Sequence, residues 1–288
     1  MSATQVPSPA ELPDVAETPH PPKAGRNLPA AIGVGLALAG LILLTLFTNR
    51  AAFTGLVAVA IGIGVLELCR ALAQTAAHPA RTPLVMGGTV TIVAAYLRGT
   101  SALLFGLVVT CLACLLWRLP EGVPGVARDW TASVFVAAYV PFLAGFAAMM
   151  VAQDNGPARI VSFIVTVVCS DVGGYTAGVL KGKHPMAPSV SPKKTWEGFA
   201  GSVLACVVGG VAVVSTVMEI AWWQGALFGL AIVVAATVGD LGESLVKRDI
   251  GIKDMGNLLP GHGGIMDRLD SLLIAAPVSW LLLSGWAP

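Results

Sequence analysis

The sequence is short of charge. Lys, Arg, Asp and Glu make up only 11% of its 288 residues, less than half of the roughly 25% found in soluble domains, so water is not the main solvent of the folded chain. It also lacks a dominant sign. A net charge of +1 excludes the broad basic field that a nucleic-acid partner requires, and any anion must be held by a local cluster. Paired CxxC motifs of the kind that bind zinc are missing: Cys69, Cys111, Cys114, Cys169 and Cys206 all lie in apolar stretches, and the lone Cys111-x-x-Cys114 reads as helix packing. No Gly/Ser-rich linker and no inverted repeat divides the chain. The first 26 residues have no apolar run and are rich in Pro, Ala and acids, so residues 1–26 read as a disordered tail and 27–288 as a single membrane domain. The first apolar stretch is long enough to span a bilayer, which argues for a membrane helix over a cleaved signal peptide.

What the chain has instead is hydrocarbon, 56% of its residues. A span needs about 20 mostly apolar residues, because the bilayer core is about 30 Å thick and a helix rises 1.5 Å per residue. About nine segments qualify, predicting an all-α polytopic membrane protein: Leu28–Phe47, Ala52–Ala73, Pro83–Leu97, Ala102–Trp117, Trp130–Val151, Ile160–Leu180, Phe199–Met218, Gln224–Gly239 and Leu269–Trp286. If these alternate sides, Arg50, Arg98 and Arg159 fall on one face and all the other Lys and Arg of the 17 fall on the face of the tail. The positive-inside rule makes that richer face cytoplasmic, with the N-terminus inside and the C-terminus outside. Of the acids, only Asp154 and Glu219 fall on the outer face. Acids contribute little to orientation, so their crowding on one side points to a site.

The connection from Gly239 to Asp270 is unlike the rest. Asp240 is expected to end one apolar helix and Asp267 to begin the next, so that two carboxylates meet at the membrane surface. Hard oxygen ligands there suit Mg2+, which takes one or two protein carboxylates and completes its shell with water and substrate phosphate. Asp240 and Glu243 share a helix face, as do Asp267 and Asp270. Gly261, His262, Gly263 and Gly264 lead into a helix N-terminus, where backbone N–H groups can approach phosphate. Lys247, Arg248, Lys253 and Arg268 add donors for a triphosphate or a lipid phosphate. Glu243 and Lys247 can equally be an i, i+4 pair on a solvated surface.

A second polar group falls on the same predicted face. Asp171 lies inside an apolar span, a costly placement that marks it as functional, either completing a metal shell or holding a lysine. Lys193 and Lys194 precede a helix for which Thr195 is a plausible N-cap, a position from which they can grip phosphate. Glu67 and Arg70, three apart, either pair with each other or contribute to the site. His184 reads as a loop residue, and Trp222 and Trp223 as an interfacial belt.

The stretch Ser244–Asp270 resembles the signature of CDP-diacylglycerol synthases, S-x-x-K-R-x(4)-K-D-x-G-x(2)-L-P-x-H-G-G-x-x-D-R-x-D, without departure. The Ser170-Asp171 pair and the run Ser191-Pro-Lys-Lys-Thr-Trp-Glu-Gly198 resemble the same family, whereas Val179 stands near where that family often has an arginine. The resemblance implies metal-dependent cytidylyl transfer from CTP to phosphatidic acid with release of pyrophosphate. It also implies Asp240 and Asp267 as metal ligands with Asp171 beside them, Mg2+ with a possible second cation, substrate contacts reaching Ser191, and a homodimer. Two rivals are a CTP-dependent polyprenol kinase, which transfers the γ-phosphoryl group, and an ion-coupled transporter, whose sites usually lie at the midplane between repeats.

Overall fold

The computed structural model describes residues 28–258 and 263–286. The tail 1–26 lies outside them, as do Gly261 and His262. Among the described residues the chain forms α1 (Leu28–Thr48), α2 (Arg50–Leu72), α3 (Arg81–Arg98), α4 (Thr100–Arg118), α5 (Val126–Ala137), α6 (Leu143–Ala152), α7 (Gly156–Lys181), α8 (Trp196–Val217), α9 (Trp222–Ile250) and α10 (Met266–Trp286). All nine predicted segments are helical. Among the described residues seven helical stretches are long and apolar enough to cross a bilayer by length and composition, so the protein is a multi-pass membrane protein. α5 and α6 form one bent span, joined by a π-turn over Ala138–Phe142 that contains Pro141. Proline has no N–H to donate, and the widened turn absorbs the missing bond.

Ties between connections show which ends of the helices lie together. The Arg50 guanidinium, at the α1–α2 junction, donates to the carbonyls of Gln153 (2.7 Å) and Asp154 (2.5 Å) in the α6–α7 turn. Beyond the other end of α2, the buried Asp129 accepts from the His78 N–H at 2.9 Å and pairs with Arg118 and Arg128. The α1–α2 and α6–α7 connections therefore lie together at one end of α2, and the α2–α3 and α4–α5 connections at the other.

One buried cluster includes Leu68, Ile92, Val136 and Met266, and another includes Phe163, Phe228, Ile232 and Ala276. Outward faces stay apolar, with Phe105 and Leu112 of α4 and Leu204 and Val208 of α8 exposed, as expected where lipid is the solvent. Association cannot then rest on the hydrophobic effect alone, and close packing of small residues takes over. A Cβ on Gly173 of α7 would lie 2.6 Å from the Gly201 carbonyl of α8, and one on Gly210 of α8 would lie 2.6 Å from the Gly225 carbonyl of α9. These near-backbone contacts draw α7, α8 and α9 together around the polar region.

One expectation needs correction. α9 does not stop at Gly239 but continues to Ile250, so Asp240 sits within the helix. Glu243 and Lys247 of this extension turn inward, with Glu243 fully buried, and the true stop is Gly251, whose φ of 82° places it in the left-handed region that glycine tolerates. The fold is all-α as expected, with one small antiparallel hairpin added to it, β1 (Pro185–Ala187) with β2 (Ser191–Thr195). The Val190 N–H donates to the Ala187 carbonyl at 3.1 Å across its turn, with Pro188 at the position where proline favours a β-turn.

Candidate active site

Seven chain segments line one cavity of about 610 Å³, and five of them bring charged side chains to it. α7 brings Asp171, β2 brings Lys193 and Lys194, α9 brings Asp240 and Lys247, the α9–α10 connection brings Asp254, and α10 brings Asp267, Arg268 and Asp270. The hairpin holds its lysines in place through both of its ends. Thr195 caps α8 by accepting from the Gly198 N–H at 3.1 Å, while Glu197 accepts from the backbone N–H groups of Lys183 and His184 and contacts the His184 ring at 2.5 Å. Lys194 then pairs with Asp240 across the cavity.

Behind this wall lies a buried ionic core. Lys247 donates to Glu243 Oε2 at 2.8 Å and to Asp267 Oδ1 at 3.0 Å. Asp267 is saturated further: the Met255 N–H reaches both its oxygens, at 3.1 and 3.0 Å, and the Gly264 N–H donates to Oδ2 at 2.9 Å. The helix start thus clamps both sides of its own connection. Glu67 of α2, also buried, adds a third strap by accepting from the Met266 N–H at 2.8 Å. Its carboxylate packs so closely on Gly256 and Gly264 that a Cβ at either would strike it.

The cytidylyltransferase family profile matches residues 29–286, nearly all of the described chain. The chain belongs to the cytidylyltransferase family. Among its relatives, the phosphatidate cytidylyltransferase of Mycobacterium leprae is 44% identical over 286 residues, covering 93% of this chain and 91% of that protein. The phosphatidate cytidylyltransferase of Mycobacterium bovis is 39% identical over 275 residues, covering 91% and 90%. Neither the family nor these names favour a lipid kinase or a transporter.

In this cytidylyltransferase the residues singled out from sequence divide into three groups. Asp171, Lys193, Lys194, Asp240, Lys247, Asp267 and Arg268 line the cavity. Arg248, Lys253 and Ser191 do not: Arg248 donates to the Val190 carbonyl at 3.2 Å and ties α9 to the hairpin turn, Lys253 is exposed, and Ser191 is a hairpin residue paired with Ala187. Gly264 gives its N–H to Asp267 rather than to the cavity, and Gly263, with φ of 81°, supplies the turn before it. The pairing of Glu243 with Lys247 is real but buried, not solvated. Glu67 forms no ion pair with Arg70 among the described residues and serves the connection instead. Asp254 and Asp270 line the cavity as well, and both stand at fixed positions in the resemblance motif, which is the signal that marks them in the sequence.

The donor set fits a hard divalent cation. The cavity wall carries five carboxylates against four cationic side chains, an acid excess that opposes a polyphosphate unless a metal offsets it. Asp171 makes no hydrogen bond with another described residue and lies in electrostatic range of Asp240, Asp270, Lys194 and Arg268. No three His, Cys, Asp or Glu are grouped to hold a metal ion among the described residues, so a cation here would have to take most of its ligands from water and substrate phosphate. Asp267 has both oxygens taken by buried donors, whereas Asp240 has only Lys194 on one oxygen and the Ser244 hydroxyl at 3.5 Å from the other.

Glu67 offers a direct check on the strap. Glu67→Ala leaves the Met266 N–H without its acceptor and is expected to cost about 1–3 kcal/mol of stability and to lower turnover. Glu67→Gln keeps an acceptor and should retain most of both. Thermal unfolding in detergent with parallel assays measures this, and equal behaviour of the two variants would mean that the hydrogen bond is unimportant.

Proposed function

We propose that this chain is a phosphatidate cytidylyltransferase of the cell membrane, with its site on the cytoplasmic face. It transfers the cytidylyl group of CTP to phosphatidic acid, giving CDP-diacylglycerol and pyrophosphate. The observation that carries the reading is the acid-rich cavity, walled by lysines and an arginine and set in a membrane-spanning bundle, in a chain whose family is cytidylyltransferase. Such a site receives a soluble nucleotide from one side and a lipid phosphate from the bilayer. The excess of basic residues on that face supports its cytoplasmic placement.

Mg2+ is the cofactor this donor set suits. Asp171 and Asp240 would hold it, with Asp270 at hand and Asp267 contributing only by exchanging one of its present partners. Bound there, it supplies positive charge against the charge developing on pyrophosphate. The chain's own side chains do the rest. Lys193, Lys194 and Arg268 receive phosphate oxygens, and Lys247 keeps the buried acids compensated while facing the cavity. The nucleophile is a phosphatidate oxygen, already anionic, so no general base is required. It forms a bond to the α-phosphorus of CTP as the bond to the bridging oxygen breaks and pyrophosphate leaves in line. Holding two repelling anions in that geometry is the main task of the site. The homodimer rests on the family resemblance alone.

The test is to incubate purified protein with phosphatidic acid, Mg2+ and CTP labelled at either the α- or the γ-phosphorus. α-Label should enter lipid, and γ-label should leave as pyrophosphate. γ-Label in lipid would identify a kinase, and no Mg2+-dependent transfer of either would overturn enzymatic function.

A further inference from the structure

Below the polar cavity lies a second one of about 150 Å³, and the two share Ile164 of α7 and Leu272 of α10 as walls. Every residue lining the lower cavity is hydrocarbon, contributed by α1, α2, α6, α7 and α10. Its position follows from the helices that bear the acids. α7 descends from Asp171 to Ile164 and Phe163, about 10–12 Å at 1.5 Å per residue, and α10 from Asp267 past Leu269 to Leu272 and Ala276, about 3 to 14 Å, so the apolar space runs down both helices from their carboxylates. A phosphate held at the carboxylates would therefore have a hydrocarbon-lined space beneath it, toward the membrane interior.

We propose that this lower cavity is the seat of one acyl chain of the lipid substrate, and that it sets chain selectivity and lipid register. The inference rests on the phosphatidate reading above and adds a subsite to it. The occupant is argued from three features: continuity with the polar cavity, walls without a polar side chain, and placement at bilayer depth. A nucleotide would leave its polar groups unpaired there. A lipid chain leaving bilayer hydrocarbon gains little from burial as such, because lipid tails are as apolar as leucine. The cavity thus acts by shape. A chain that fits brings its phosphate to the right height among Lys193, Lys194 and Arg268, and a chain that cannot enter leaves the phosphate misplaced.

Ala60 of α2 and Ala147 of α6 are half-buried at the cavity wall, and a larger side chain at either can project into the space without displacing a fully buried core residue. The experiment compares wild type, Ala60→Phe and Ala147→Phe on dioleoyl phosphatidic acid and on dihexanoyl phosphatidic acid, whose chains are too short to fill the lower cavity. CTP is saturating, and unfolding temperatures are recorded. The expected result is a fall of about tenfold in kcat/KM for the dioleoyl substrate, carried mainly by KM for lipid, with the dihexanoyl rate and KM for CTP within twofold of wild type. Equal losses on both substrates would overturn the proposal, since they would reflect disturbed packing. Unchanged kinetics on both would overturn it as well, by showing that the chain lies elsewhere. Failure of wild type to make a CDP-lipid from either substrate would instead overturn the enzymatic reading on which the proposal rests.

Discussion

Lys247→Met should destabilise the protein by about 3–5 kcal/mol, the usual cost of removing one partner from a buried ion pair, and abolish turnover. The side chains of Glu243, Asp267 and Lys247 are 0%, 5% and 14% exposed, and one ammonium serves both carboxylates at 2.8 and 3.0 Å. Its loss leaves two acids in a poorly solvated place without their shared cation, and only the backbone N–H groups of Met255 and Gly264 still serve Asp267. Repulsion then spreads to the Asp267 contacts that pin Met255 and Gly264, so the connection should loosen with the fold. In detergent the unfolding temperature should drop on the order of 10 °C. Because the penalty comes from uncompensated charge and not from lost contacts, adding Glu243→Gln to Lys247→Met should recover part of the stability. An unaltered unfolding temperature in the single variant would show that the triad contributes little.

Asp240→Asn should have the opposite profile. Turnover should fall by about 10²–10³-fold, the usual effect of deleting one electrostatic contact to the reacting groups, while the unfolding temperature changes little. Asp240 is one-third exposed and its partner Lys194 is one-quarter exposed. An exposed pair of that kind is worth about 0–1 kcal/mol, so the carboxylate's weight lies in what it does in the cavity. If it helps hold Mg2+, the concentration giving half-maximal rate should also rise. Turnover close to wild type at saturating CTP would remove Asp240 from the mechanism. The contrast with Asp267 is informative, because Asp267→Ala strips acceptors from Lys247, Met255 and Gly264 together and should lose fold and activity in parallel.

Much of the architecture was legible without coordinates, because its signals are local. A run of apolar residues has to become a helix in lipid to satisfy its own backbone, and all nine predicted segments did so. Thr195 could be read as a cap from its place before a helical stretch, and it accepts the Gly198 N–H as a cap should. The end of α9 was misplaced for an equally local reason. Gly239 marks where apolar residues give way to polar ones, which is the limit of hydrocarbon along the sequence but not of the helix. With Glu243 facing Lys247 and Asp267 inside the protein, the helix can continue three turns further before Gly251 ends it. The hairpin escaped notice because its two short strands carry prolines and lysines with no apolar alternation.

Composition and pattern alone determined that the chain lives in a membrane and which polar stretch supplies most of the charged side chains that line its cavity. They also supplied the family resemblance, since a motif spaced over one connection can be read along the chain. Only the tertiary structure decided which of those residues act together. Arg248 and Lys253 belong to the same motif as Lys247, yet one grips the hairpin and the other is exposed, while Lys247 is drawn inward by acids from its own helix and the next. Glu67, nearly two hundred positions from Met266, meets its N–H only when α2 packs beside α10. Roles of this kind depend on where helices cross, and crossings depend on contacts such as Gly173 on Gly201 and Gly210 on Gly225 that couple distant parts of the chain and leave no local trace.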